Sequence, residues 1–432
     1  MEPPLIGLIG IGVLFLLMFL GLPVGFAFLL VGFTGVGFLT TMGMGLSILG
    51  VSPYATAASY FFAVLPCFML MGLLCGAAGL VTEVYRFFHT WFGHLRGGLA
   101  IATTGACAAY AGVTGETFSA CAIMGKLSLP EMRKYKYDSK LATGTIAAGG
   151  TLGILIPPSG ALILYGIITG TSIGKLFISG ILPGILLAFL FMLVIYIQAR
   201  LNPSLALPGP KFSWRERFST LRGTLPILVL FILVIGGMYL GIFTPTEAGA
   251  VGAFLAFVIA LIKRKLSKEG FITCLKDTML TTGMIFVILI GAMVFNYFIV
   301  MSGLSTELAN FIAVFAVSPY LVFTFAVVIL LILGALMDEP PMILLTMPIL
   351  FPIVTQVGFD PVWFGVTSTL LCTAGLILPP VGMNVFIVAG VADVPLFDVY
   401  RGILPFFLAI LACIALLTIF PQIALFLPNL MK

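Results

Sequence analysis

The chain has 432 residues, 61% of them hydrophobic and only 8% charged, with a formal net charge of +5. That composition excludes a large soluble domain and points to a helical protein crossing a membrane many times. The positive balance fits basic cytoplasmic loops and is no sign of nucleic-acid binding, and the seven cysteines show neither metal-ligand nor disulfide spacing.

Met1-Glu2-Pro3-Pro4 lacks a basic n-region, so the first apolar run is expected to be a retained span. Residues 5–20 and 23–40 are two spans meeting at Gly21-Leu22-Pro23, followed by a Gly/Ser-rich loop at 41–54 and a span at 55–80. A polar loop carries Glu83, Arg86, His89, His94 and Arg96. Residues 99–129 are interrupted by Gly112-Val113-Thr114-Gly115-Glu116-Thr117, leaving halves of about 13 residues, too short to cross, so a re-entrant hairpin is expected. A basic loop at 131–140 leads into a helix over 141–170 that Gly150-Thr151-Leu152-Gly153-Ile154-Leu155-Ile156-Pro157-Pro158-Ser159-Gly160 must break, and a span follows at 173–199. After a proline- and arginine-rich linker come spans at 225–242, 245–262 and 277–301, then a hairpin at 321–352 with its tip at Met337-Asp338-Glu339-Pro340-Pro341. A second broken helix at 363–395 and a span at 402–428 complete the chain, for ten spans and two hairpins.

The second half repeats the first at one offset of 222 residues: Pro23 with Pro245, Gly112 with Gly334, Glu116 with Asp338, Asp138 with Asp360, and Gly180-Ile181-Leu182-Pro183 with Gly402-Ile403-Leu404-Pro405. Residues 1–200 and 225–432 are thus two copies of one unit, joined by a cytoplasmic linker at 201–224. Clusters at 126–140, 200–222 and 263–276 hold five Lys/Arg each, whereas the mates of the first and third, 352–362 and 41–54, hold none. Basic loops face the cytoplasm. Mates therefore lie on opposite sides, and the expected fold is all-α and polytopic: two inverted-topology repeats, each with about five spans, a hairpin and a broken helix.

Paired hairpins and paired breaks are an alternating-access design. At such junctions helix C-terminal carbonyls face a cation and helix N-terminal amides face an anion. Candidate sodium oxygens are those of Gly115, Ser119, Thr151, Gly153 and Ile156 in the first copy, and of Asp338, Thr373, Gly375 and Leu378 in the second. Pro158, Gly160, Gly382, Asn384 and Glu116 are the candidate substrate contacts. Asn384 either bonds substrate or caps the half-helix, and the acids at the tips, Glu116, Asp338 and Glu339, are either functional at membrane depth or solvated. Glu247 reads as a helix-start residue. No hydrolytic triad, phosphate-binding loop or organic-cofactor motif accompanies them.

These stretches resemble the large membrane subunit of the tripartite ATP-independent periplasmic (TRAP) transporters over essentially the whole chain. Gly150–Ser159 and Gly375-Leu376-Ile377-Leu378-Pro379-Pro380-Val381-Gly382-Met383-Asn384 carry the likeness, with Thr244-Pro245-Thr246-Glu247-Ala248 and Gly358–Gly365 adding to it. The resemblance implies an elevator fold of the ion-transporter-superfamily type in the bacterial inner membrane. It implies sodium-driven import of organic acids such as C4-dicarboxylates, 2-oxo acids or sialic acid, and two partners, a small membrane (Q) subunit and a periplasmic substrate-binding protein (P). Residues 99–170 and 321–395 are then expected to move as one body against a scaffold of 5–80 and 225–301. Two departures stand out: the family's first tip usually reads Gly-Ser-Ser where this chain has Gly115-Glu116-Thr117, and Thr373 occupies a position often acidic. The competing readings are a stand-alone carrier like the divalent-anion/sodium symporters, and a passive channel.

Overall fold

The computed structural model describes residues 2–115, 117–314 and 318–431, and among them every regular element is a helix. The first copy holds α1 (Pro3–Phe19), α2 (Val24–Leu39), α3 (Met42–Ala57), α4 (Val64–Ala77), α5 (Leu80–Phe92), α6 (Gly98–Thr114), α7 (Phe118–Lys134), α8 (Ser139–Leu155), α9 (Gly160–Thr169) and α10 (Ile173–Leu201). The second holds α11 (Trp214–Tyr239), α12 (Pro245–Ile262), α13 (Lys268–Ser302), α14 (Leu304–Val314), α15 (Pro319–Leu336), α16 (Glu339–Gln356), α17 (Pro361–Gly375), α18 (Met383–Ala392), α19 (Leu396–Ile419) and α20 (Gln422–Leu430).

Shifted by 222 residues, α2 and α6–α9 fall on α12 and α15–α18 to within two residues at every end. The caps match too. Asp138 Oδ1 accepts the amides of Lys140 (2.9 Å) and Leu141 (3.2 Å), and its mate Asp360 accepts those of Val362 (2.8 Å) and Trp363 (3.0 Å). Each carboxylate satisfies amides that the first turn of a broken helix leaves free.

Several loops expected from polarity are helices. Residues 41–54 lie largely in α3, which Thr41 starts by accepting the Met44 amide at 3.3 Å. The polar loop after residue 80 is α5, which buries Leu80, Val81, Val84 and Tyr85 on one face and exposes Arg86. Its charges hid an ordinary amphipathic spacing. The hairpin arms are also longer than 13 residues, at 17 each in α6 and α7 and 18 each in α15 and α16, because helix continues through polar residues such as Lys126 and Glu131. Eight helical segments are long and apolar enough to span. They include α15, while α1 and α2 are shorter and neither half of the second broken helix qualifies. Hairpin depth is therefore set by what the tip touches, not by arm length.

The packing is reciprocal. α2 lies along α13 and α12 lies along α4; α6 and α7 pack on α8, and α15 and α16 on α17. Each hairpin also reaches the other copy, α7 against α18 and α16 against α9. Two groups result, α1–α4 with α11–α13, and the hairpins with the broken helices, α10 and α19. α5 touches both groups through α6 and α11, and α14 does so through α16 and α1.

Lys134 and Gln356 are repeat mates, both exposed and each the last residue of a hairpin arm. In an inverted arrangement, Lys134→Cys should react with a membrane-impermeant maleimide only from the cytoplasm and Gln356→Cys only from outside. The native background is low, since all seven cysteines except half-buried Cys67 are buried. Labelling of both from one side would sink the inverted topology.

Candidate ion and substrate site

In the first break, Pro157 and Pro158 supply no backbone amide, and Pro157 holds Ile156 extended, so α8 stops. The Pro157–Pro158 bond is cis, as is Pro379–Pro380 in the second break. The Ile156 amide closes α8 on the Leu152 carbonyl at 3.0 Å. Ser159 restarts the chain: its hydroxyl accepts the Leu162 amide at 3.4 Å and donates to the Ile154 carbonyl. Residues 151–159 are buried throughout. The first hairpin ends on this break. Gly115 closes α6 with φ +60°, and a Cβ there would run into the Pro158 carbonyl oxygen. Only glycine meets both demands. On the return arm, Cys121 Sγ sits where a Cβ on Gly150 would stand. Glu116 lies outside the described residues.

The second junction repeats the plan with one difference. α17 ends at Gly375, Leu378 bonds back to the Gly375 carbonyl at 3.0 Å, and Gly382, at φ +50°, opens α18. Gly375 lies directly on Gly334 of the second hairpin, and the Val381 amide bonds the Ala335 carbonyl at 3.3 Å. The Tyr400 hydroxyl is 3.3 Å from the Pro380 carbonyl and 3.1 Å from that of Val381. Pro379 and Pro380 are exposed, whereas their mates Pro157 and Pro158 are buried.

Two side chains join the junctions. Asn384 is fully buried; its Nδ2 donates to the Ala147 carbonyl at 3.2 Å, and its Oδ1 is buried without a hydrogen-bond partner. Its side chain thus reaches across to the other copy, and Gly382, not Asn384, sits at the cap of α18. Glu339 Oε1 lies 3.5 Å from the place of a Cβ on Gly160, which puts a second-copy carboxylate beside the N-terminus of α9. Asp338 stands at the N-cap of α16 but makes no capping bond, and its Oδ1 is buried without a partner.

Gly115, Thr151, Gly153, Ile156, Pro158 and Gly160 thus fall at the first junction, and Asp338, Thr373, Gly375, Leu378, Gly382 and Asn384 at the second. Ser119 is half-buried on the first turn of α7. Thr151 and Thr373 make the same bond, each hydroxyl donating three residues back, to Ala148 (2.7 Å) and Leu370 (2.6 Å). Their lone pairs remain acceptors, which is what a cation needs. Glu247 completes a capping box with Thr244, accepting its amide at 2.8 Å, and takes no part in the site. Among the described residues no three His, Cys, Asp or Glu side chains converge. Backbone and hydroxyl oxygens therefore dominate, and these suit hard cations. Sequence reasoning noted Glu339 at the tip without placing it in the site, and passed over Cys121 and Tyr400. Adjacency to Asp338 signalled the first; nothing local signalled the others.

A protein-family model described as "Tripartite ATP-independent periplasmic transporter, DctM component" matches residues 11–423. The large permease SiaM of a sialic acid TRAP transporter from Vibrio cholerae is 33% identical over 416 residues, 96% of each chain. The C4-dicarboxylate permease DctM of Pseudomonas aeruginosa is 35% identical, covering 88% of this chain and 89% of its own. The 2,3-diketo-L-gulonate permease YiaN of Escherichia coli is 32% identical over 94% of both. The crystal structure of the Alcanivorax borkumensis YdaH transporter superposes with a TM-score of 0.62 over 88% of this chain and 89% of its own; at 15% identity that likeness speaks for the fold alone.

Proposed function

The chain belongs to the DctM component family of the tripartite ATP-independent periplasmic transporters, and on that footing we propose that it is the permease of a sodium-coupled importer of organic acids. As a family member it is a multi-pass transporter subunit, not an enzyme. In this reading it lies in the bacterial inner membrane, joined by a small membrane subunit and fed by a periplasmic binding protein. Relatives named for sialic acid, C4-dicarboxylates and 2,3-diketo-L-gulonate support an organic acid as cargo. The N-termini of α9 and α18 receive its carboxylate, and the carbonyl ends of α6, α8 and α17 face sodium.

One observation carries the coupling: Asp338 has a buried carboxylate oxygen with no hydrogen-bond partner, at a hairpin tip that lies on a helix break. An unpaired carboxylate oxygen at membrane depth is costly. A sodium ion held between it and the ends of α15 and α17 satisfies it and raises the affinity for anionic cargo. The cross-copy contacts of α7 with α18 and α16 with α9 favour an elevator. They tie both junctions into one unit, which crosses with its broken backbone still covered by protein.

The test is uptake of the binding protein's ligand into vesicles containing this chain and the small subunit, with sodium varied against choline. Asp338→Asn should raise the sodium concentration for half-maximal uptake roughly tenfold or more, the loss of about 1.4 kcal/mol of ion binding. An unchanged sodium requirement would reject Asp338 as a ligand. Full uptake without the binding protein would favour the stand-alone carrier, and flux indifferent to sodium would favour a channel.

A further inference from the structure

Away from the transport site, α5 and the start of α11 enclose a crevice of about 240 Å³. Arg86 and Thr90 line it from α5; Phe212, Arg215, Ser219 and Thr220 line it from the linker and α11. Both arginines are exposed, one from each wall. Glu216 also lines the space, but its Oε2 accepts the Ser213 amide at 2.7 Å and the Ser213 hydroxyl at 2.8 Å. Those bonds hold its carboxyl below the usual carboxylate range, so its charge is committed to its own helix end. The walls are braced beside the crevice. The Trp91 Nε1–H donates to the Arg217 carbonyl at 3.3 Å, and the Arg217 guanidinium lies 5.0 Å from the Trp214 ring and 6.0 Å from that of Trp91.

From this end of α11 an exposed apolar stripe runs along the helix: Trp214, Phe218, Leu221, Leu225, Leu228 and Ile232. The alternating steps of four and three keep it on one face. Trp214, at 65% exposure, and Phe218, at 56%, stand at the charged end, where amphipathic rings mark the membrane interface. We propose that the crevice binds the headgroup of an anionic phospholipid, its phosphate between Arg86 and Arg215 and its acyl chains along the α11 stripe.

Charge and shape both point this way. Two guanidiniums and three hydroxyls match phosphate oxygens, and Arg makes such contacts through paired donors. The five basic residues of 200–222 assign this end to the cytoplasmic leaflet, where anionic lipids concentrate. A soluble anion fits the arginines equally well but leaves the adjoining apolar stripe unused. Because α5 packs on both α6 and α11, a lipid seated here also fastens the hairpin's support to the other group of helices.

The experiment is thermal unfolding of the detergent-purified protein titrated with phosphatidylglycerol, phosphatidylcholine or inorganic phosphate. Phosphatidylglycerol should raise the melting temperature, and the other two should not. In Arg86→Gln/Arg215→Gln the half-maximal phosphatidylglycerol concentration should rise roughly 30-fold. Lys263→Gln/Lys265→Gln, in another basic loop, should respond as the parent does. Should the arginine variant fail to fold, Ser219→Trp at an exposed position fills the crevice and should abolish the phosphatidylglycerol response. An equal response to phosphatidylcholine, or an undiminished one in either crevice variant, overturns the site. An equal response to inorganic phosphate assigns it to a soluble anion and overturns the lipid.

Discussion

Gly375→Val should leave protein that melts well below the parent and transports little. A Cβ at Gly375 would stand inside the contact distance of Gly334 Cα and C and 2.7 Å from Gly334 O, and a Cβ at Gly334 would stand 3.0 Å from Gly375 Cα. The obstacle is backbone, which has no rotamer to move to. α15 and α17 would have to separate, and the Val381-to-Ala335 hydrogen bond of 3.3 Å would go with the contact. Overpacking against side chains costs about 1–3 kcal/mol. A clash with backbone at a buried junction belongs to the tail of about 4 kcal/mol or more. Gly375→Ala should show the same effect in weaker form. Gly390→Ala is the control, since nothing lies within 4 Å of its added Cβ; helix propensity makes that change neutral or stabilising by up to about 1 kcal/mol. Equal melting of Gly375→Ala and Gly390→Ala would mean that the hairpin does not rest on the break as closely as described.

A bridge between Gly112→Cys and Phe231→Cys should stop transport without stopping sodium binding. Gly112 lies near the end of α6 in the first hairpin, and Phe231 lies on α11 in the other group of helices. A Cβ on Gly112 would come 3.1 Å from the Phe231 ring, so removing the ring makes room for both thiols. A mercuric ion or a short bis-thiol reagent spans that space. In an elevator the two residues must part during every cycle, and the bridge should lower uptake at least about tenfold while the unbridged double variant still works. Each single-cysteine parent, treated with the same reagent, reports the background from half-buried Cys67. Normal uptake by fully bridged protein would refute the moving-body reading. Loss of sodium binding on bridging would show instead that the reagent had damaged the site.

The all-helical class, the two copies and the two breaks were legible in the sequence because each has a local cause. An apolar composition of 61% with few charges implies spans, paired prolines end a helix wherever they fall, and a copied unit repeats its prolines, glycines and capping aspartates at one offset. The junction residues were legible for the same reason, as mates on either side of a break. Helix in 41–54 and 81–92 was missed because glycine content and charge outweighed a weak periodicity. Arm length was missed because polarity was taken as the end of helix. The joining of the two junctions has no local cause. Asn384 meets the Ala147 carbonyl across 237 positions, Glu339 comes beside Gly160, and Tyr400 braces a break 20 residues upstream. Composition and period describe a residue and its near neighbours, whereas these contacts exist only once whole helices from both copies have packed, so the folded chain alone places an acid of one copy at the helix end of the other.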